Sequence, residues 1–267
     1  REVNAFLEAH RSTPFFLYVP FNNPHYPVQP LPHQIERYRD VPEPRRSYAA
    51  FVSTLDEQVG KILDKVAELG LRENTLIVFM SDHGHSVESR NNLWLDAKYD
   101  PPGGGNAGPY RGHKATLWEG GIRVPAIASW PGVLPENEVR DQIATSLDWL
   151  PTIAKYTGAK LPKNDLDGKD ISAVLLSADA PTPHDVLHRF WNDHWFVREG
   201  DWKLIGNAPE TVEKDGSITP GAELFLSDLS NDVTERVNLA EQHPDKVARL
   251  KALHEAWAKR IGLKEEE

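Results

Sequence analysis

Within four positions the chain offers a carboxylate and two imidazoles: Asp82, His83 and His85, at the end of the stretch TLIVFMSDHGH that covers residues 75–85. Such a set can ligate a cation or pass protons. An Asp-His pair alone is a weak motif, because a polar loop that merely caps a strand carries the same residues. Two further groups belong with it by type. His25 lies in a proline-punctuated loop, FNNPHYPVQPLPH, and Lys114 ends a glycine- and proline-rich one, YDPPGGGNAGPYRGHK (residues 99–114). The latter is not a Walker A phosphate loop, since His113 separates Gly112 from Lys114 and Ala115 follows. The absence of cysteine excludes disulfides, thiolate metal sites and cysteine nucleophiles, and leaves the compartment undecided.

A sheet must position these residues. Residues 76–80 form an unbroken apolar run, short for a helix and rich in strand formers, which predicts a central parallel strand covered on both faces. Residues 15–20 (FFLYVP) predict a second strand. Between them Tyr48, Phe51, Leu55, Val59, Ile62, Val66 and Leu69 recur at helical spacing, with Gly70 as the C-terminal cap. Strand, helix, strand is a βαβ crossover, so the two strands run parallel and their carboxyl ends share the sheet edge where ligands bind. His25, Asp82, His83 and Lys114 are therefore predicted to line one cleft.

Further along, ATLWEGGIRVPAIASWPG predicts a helical turn, a bend at Gly120 and Gly121, and a strand over residues 124–130. A helix opens at Ser146 or Asp148 and closes near Gly158. From Pro181 the composition shifts to bulky rings. A hairpin turning at Glu199–Asp201, a strand over residues 223–228 and a terminal amphipathic helix from Pro244 imply a smaller antiparallel unit, followed by a frayed LKEEE tail. The fold class read here is α/β: a mainly parallel sheet flanked by helices over residues 1–178, and an α+β subdomain over residues 179–267. The first helix, ending near His10, starts without a cap or leader. That suggests earlier elements outside this sequence.

The chain has 267 residues, 39% of them hydrophobic, and a net charge of −10. With a pI near 5.6 it is a poor candidate for a broad nucleic-acid-binding surface, and any anionic ligand needs a local positive site. No apolar run approaches the roughly 18 residues of a membrane span. The N-terminus REVNAFLEAHRS lacks the apolar core of a signal peptide.

Five blocks in order, PFFLYVPFNNPHYPVQP, NTLIVFMSDHG, RGHKATLWEGGIRVPAIASWPG, SLDWLPTIAKYTG with LDGKDIS, and ELFLSDLSNDVTERVNLA, resemble the sulfatase family of the alkaline-phosphatase superfamily. The resemblance covers nearly the whole chain and implies a metal-dependent sulfuric ester hydrolase. Asp82 and His83 match two metal-ligand positions, the second being Asn in many members. Lys114 matches the lysine that contacts the sulfate group. His25 matches a histidine that contacts sulfate or the leaving-group oxygen and serves as general acid. Glu119 and Arg123 match motif positions read as structural, a charged pair that fixes the loop carrying Lys114. His85, Asn22 and Arg111 receive no role. The implied cofactor is a divalent metal, calcium by resemblance, while the nitrogen of His83 leaves magnesium, manganese and zinc open. The implied partner is a sulfate ester, including sulfated carbohydrates, with no nucleic acid and no membrane span. The implied location is periplasmic, secreted or lysosomal.

The chemistry is coherent with these types. Sulfuryl transfer places negative charge on three peripheral oxygens and on the leaving oxygen, so a metal ion, a lysine and a proton donor act together. The departure from the family is equally plain. Sulfatases of this type carry a formylglycine made from Cys or Ser within Cys/Ser-x-Pro/Ala-x-Arg, and an Asp-Asp pair on an earlier strand. Neither occurs here: Ser86 to Arg90 has Glu88 where Pro or Ala belongs. The sequence is thus read as the later part of a sulfatase, inactive alone, with its nucleophile expected on an N-terminal segment. Alternatives are a phosphate or phosphonate ester hydrolase of the same superfamily, and a non-catalytic sugar-binding module using Trp191, Trp195 and Trp202.

Overall fold

The computed structural model describes residues 1–87, 105–212 and 218–263. The chain divides into two compact units. One comprises Arg1–Phe79, His85–Asn106 and Ile127–Glu136; the other comprises Met80–Gly84, Ala107–Ala126 and Asn137–Glu267. The Ser86–Arg90 stretch, the start of the 99–114 loop and the LKEEE tail fall wholly or partly outside the described residues.

The first unit is built on the helix that the apolar period predicts. Helices α1 (Glu2–Ala9) and α2 (Pro32–Arg37) pack on α3 (Arg45–Glu68). Leu7, Ala50, Phe51 and Val66 are buried. Polar ties hold α2 to α3: the Leu31 amide donates to Thr54 Oγ1 at 3.0 Å, and Gln34 and His33 both reach Glu57, at 3.0 and 2.6 Å. After Leu69 the chain reverses through Gly70, whose φ of 69° no side-chain-bearing residue adopts cheaply. The Gly70 amide donates to Ala67 and the Leu71 amide to Val66, so the last helical carbonyls are satisfied.

Strand β1 (Ile77–Met80) follows and pairs with β2 (Ala126–Ser129) in a two-stranded sheet. Here the sequence reading needs correction. An apolar run predicts cover on both faces, but β1 is half-buried and Phe79 keeps 37% of its surface. Residues 15–20 join no sheet among the described residues, and Phe16 and Tyr18 are exposed. Hydrophobicity marks what a strand would bury; burial itself requires layers on both sides, and among the described residues β1 has a single neighbouring strand.

The second unit contains helices α4 (Glu119–Ile122), α5 (Trp149–Thr157) and α6 (Ser172–Leu176), then strands β3 (Val186–Trp191), β4 (His194–Glu199), β5 (Trp202–Ala208), β6 (Thr211–Val212), β7 (Ile218–Thr219) and β8 (Ala222–Asp228), and finally α7 (Pro244–Ile261). Strands β3, β4, β5 and β8 form one antiparallel sheet in that order, while β6 and β7 make a separate hairpin. Successive side chains in a strand point to opposite faces. Hence Phe196, Ile205 and Phe225 join Leu117 and Trp118 on one face, while Val197, Leu204 and Leu226 meet Leu250 of α7 on the other. Both faces are covered, which is why these strands are apolar at consecutive positions.

The antiparallel sheet, its hairpin at Glu199–Asp201 and the terminal helix are present as read from sequence. Strand β3 was not legible there, because its turn at Asn192 and Asp193 carries no glycine. Trp195 and Trp202 pack against α7: the Trp195 ring stacks on His254 at 3.9 Å, and Lys246 lies 4.3 Å from the Trp202 ring. Trp191 is about half exposed. Asp148, fully buried, caps the 3-10 turn Ser146–Asp148 that leads into α5 by accepting from the Thr145 amide at 2.6 Å, and also accepts from the Lys169 amide at 2.7 Å and from His184 Nε2 at 2.8 Å. No helix of the described residues is long and apolar enough to cross a membrane.

His188, stacked on Trp257 at 5.1 Å, gives this unit a pH dependence. Burial, with the like charges of His254 and Arg260 behind it and a weaker opposing pull from Asp167, lowers its imidazole to about 4. The unfolded chain protonates the same group near 6.5. Stability from the neutral folded ring is therefore fully present above 6.5 and is lost as pH falls from 6.5 towards 4. The expected loss is about 2 kcal/mol after allowance for partial exposure. His188→Phe keeps a ring against Trp257, and it is expected to flatten the dependence of the urea midpoint between pH 7 and 4.5; an unaltered slope would remove His188 from the account.

Candidate active site

In the second unit, the turn bearing Asp82 and His83 and the loop bearing Lys114 rest on one short element, the double-glycine turn α4. The Gly84 amide donates to the Gly121 carbonyl at 2.9 Å, and the Ser81 amide donates to the Pro125 carbonyl at 3.2 Å. From the other side, the Gly120 amide donates to the Arg111 carbonyl at 2.6 Å and closes the segment 111–120 into a loop. These approaches explain the glycines. A Cβ on Gly84 would overlap the Gly120 carbonyl oxygen, and one on Gly120 would lie 2.5 Å from the carbonyl oxygens of Arg111 and Gly112.

Lys114 sits inside that closed loop. Thr116 bridges it, its Oγ1 donating to the His113 carbonyl at 2.7 Å and accepting from the His113 amide at 3.1 Å. His113 Nδ1 donates to the Lys114 carbonyl at 2.8 Å. Ala115 adopts a φ of 67°, a left-handed conformation that costs a non-glycine residue energy and persists only where its surroundings determine it. The backbone that carries the Lys114 side chain is therefore fixed.

Asp82 and His83 form a donor pair. His83 Nδ1 donates to the Gly84 carbonyl at 2.8 Å, which leaves Nε2 with its lone pair in the neutral ring, and Nε2 lies 3.3 Å from Asp82 Oδ2. Two lone-pair atoms at that separation are spaced as adjacent ligands of one cation. A backbone acceptor on the far ring nitrogen is the usual support of a ligating histidine. The Asp82 carboxylate is 84% exposed and so accessible to an ion. These residues fit a divalent metal as part of its shell. Among the described residues no group of three or more His, Cys, Asp or Glu could hold one.

His25 belongs to the first unit. Its Nδ1 donates to the Tyr26 carbonyl at 2.8 Å and its amide to the Asn22 carbonyl at 2.8 Å, and its ring lies 4.1 Å from that of Tyr26.

Beneath the Lys114 loop lies a charge cluster that sequence reasoning did not foresee. Lys203, on β5, is fully buried, with Nζ 2.9 Å from Glu119 Oε1 and 3.0 Å from Glu235 Oε1. Burial works against the Glu119 carboxylate, yet the Lys203 ammonium, with Arg198 and Arg123 behind it, holds it below the usual carboxylate range. Burial pushes Glu235 up instead, and the neighbouring Glu119 charge adds to that push. The Glu119–Arg123 pair expected from sequence exists at 3.8 Å, but the shorter contact is to Lys203. Arg111 is buried too: Nε donates to Thr211 Oγ1 at 2.7 Å, Nη1 to the Glu235 carbonyl at 3.1 Å, Nη2 to the Thr219 and Pro220 carbonyls at 3.1 and 3.0 Å, and the guanidinium lies 3.6 Å from the Trp118 ring centroid. No local pattern betrays the main partners, since Lys203 and Glu119 are 84 residues apart and Arg111 and Glu235 are 124.

Residues 1–159 match the family model described as Sulfatase. The chain is 34% identical to the steryl-sulfatase of Rattus norvegicus over 200 residues, 72% of this chain and 31% of that protein. It is 33% identical to human arylsulfatase A over 241 residues, 85% of this chain and 44% of that protein. The crystal structure of Ps i-CgsB superposes with a TM-score of 0.79 at 26% identity, over 96% of this chain and 53% of that one. The fold is thus of the alkaline-phosphatase-like α/β class. Within that class, the chain belongs to the sulfatase family. It spans about half or less of the length of these relatives.

Proposed function

We propose that this chain carries the metal-side and sulfuryl-holding part of a sulfate ester hydrolase, with a sulfated carbohydrate as substrate. The observation that carries the reading is the shared footing of the Asp82–His83 turn and the Lys114 loop on Glu119–Ile122. Asp82 and His83 hold a divalent cation, calcium in the first instance, whose charge when bound stabilises oxygens that become negative as the ester is cleaved. Lys114 places its ammonium against the peripheral sulfuryl oxygens and orients the group. His25 serves as the proton donor to the leaving oxygen, a role that rests on the family resemblance. The nucleophile lies on a segment outside residues 1–267. The carbohydrate assignment draws support from Ps i-CgsB, which has been crystallised with k-i-k-neocarrahexaose.

Calcium titration of the full-length protein by calorimetry tests the reading. Asp82→Ala is expected to weaken binding at least tenfold and to lower aryl sulfate turnover in parallel. Unchanged calcium affinity would remove Asp82 from the metal site.

A further inference from the structure

The Lys114 loop is held at both ends by residues that no catalytic assignment includes. Glu235 reaches both: its backbone carbonyl accepts from Arg111 Nη1 at 3.1 Å, and its Oε2 accepts from the Glu119 amide at 2.6 Å. Lys203 bridges the two carboxylates from beneath, and its side chain, like that of Glu235, has no exposed surface. Glu235 itself adopts a φ of 54°, strained for a glutamate and kept because these contacts over-determine it. Between the two anchors, the Gly120-to-Arg111 hydrogen bond and the Thr116 bridge leave the backbone at Lys114 no freedom of its own.

We infer that Glu235 and Lys203 are positioning residues for Lys114, acting through Arg111 and Glu119, so that the C-terminal sheet determines where the sulfuryl-contacting ammonium sits. This inference rests on the role proposed above for Lys114. A charge worth having at a developing anion is one fixed beforehand; a displacement of about 1 Å can cost on the order of 10²-fold in rate. The anchors supply that fixity without touching the substrate. Glu235 is suited to it because one residue offers two acceptors, a carbonyl and a carboxylate, to two points of the same loop.

The test uses the full-length protein and two probes, the affinity for inorganic sulfate by calorimetry and kcat/KM for 4-nitrophenyl sulfate. Glu235→Ala is expected to weaken sulfate binding about tenfold and to lower kcat/KM 30- to 100-fold. Glu235→Gln retains an oxygen for the Glu119 amide and leaves Lys203 paired one-to-one with Glu119, so it is expected to stay within threefold of the parent. The discriminating readout is the double variant. On a Lys114→Ala background, Glu235→Ala should change neither sulfate affinity nor kcat/KM by more than about twofold, because the group it positions is gone. Equal losses on both backgrounds, or a fall in melting temperature with sulfate affinity intact, would overturn the inference while leaving the role of Lys114 standing. If Lys114→Ala alone alters neither probe, the functional reading fails first and the inference falls with it. Should Glu235→Ala not fold, Thr211→Val, which removes the Arg111 Nε acceptor, is expected to weaken sulfate binding three- to tenfold, and no change would again overturn the inference.

Discussion

Replacing Lys114 by alanine in the full-length protein is expected to lower kcat/KM for an aryl sulfate by about 10²- to 10³-fold, on the order of 3–4 kcal/mol of transition-state stabilisation. The estimate follows from where the charge is needed. As the sulfuryl group is transferred, its peripheral oxygens carry negative charge, and an ammonium on a backbone closed by the Gly120-to-Arg111 hydrogen bond requires little reorganisation to meet it. Lys114→Arg is the informative companion. A guanidinium keeps the charge but is planar and longer, so it should restore sulfate binding more than turnover. Steady-state kinetics decides the matter: a loss below fivefold in Lys114→Ala would place the lysine outside the reaction.

The largest effect on stability is expected at Lys203. Lys203→Met keeps the length and apolar stem of the side chain but strips a fully buried cation from between Glu119 and Glu235, both themselves buried. Breaking a buried ion pair from one side leaves an uncompensated charge, at a cost of about 3–5 kcal/mol. By contrast, Lys61→Met removes a cation that is more than half exposed from its pair with Glu57 and is expected to leave the urea midpoint nearly unchanged. Adding Glu119→Gln to Lys203→Met should recover part of the loss, since one of the two orphaned carboxylates then carries no charge. Urea denaturation monitored by tryptophan fluorescence measures both; a Lys203→Met cost near that of Lys61→Met would mean that water reaches the cluster.

Much of this architecture was legible in the sequence, for identifiable reasons. Helices α3 and α7 announce themselves through apolar residues repeating every three to four positions and through Gly70 and Pro244 at their ends. The β4–β5 hairpin is marked by Gly200. The double-glycine bend is legible because two adjacent glycines in an otherwise apolar block demand a close backbone approach, and Gly84 and Gly120 show which backbones meet. Other features had no local mark. Asn192, with φ of 54°, turns β3 into β4 without a glycine. The run over residues 76–80 told of apolarity, but cover on both faces depends on layers that a single segment does not encode. Lys203 and Glu235 look like ordinary strand and loop charges, and only the folded chain brings them under Glu119. His25 and Asp82 were placed on one sheet edge from a crossover argument whose first strand joins no ladder among the described residues.

The long reach of those contacts has a consequence for how the protein is made. Lys203 meets Glu119 across 84 residues, the Glu119 amide meets Glu235 across 116, and Arg111 meets Glu235 across 124. Contacts of such separation form late, because the intervening chain must be ordered before they can be rewarded. On a ribosome the order is stricter still, since synthesis runs from the N-terminus and domains fold as they emerge. Helix α3 can be in place while the Lys114 loop still lacks both its anchors. That loop takes its final shape once residue 235 has cleared the exit tunnel, so a premature stop anywhere before it leaves Lys114 translated but unplaced.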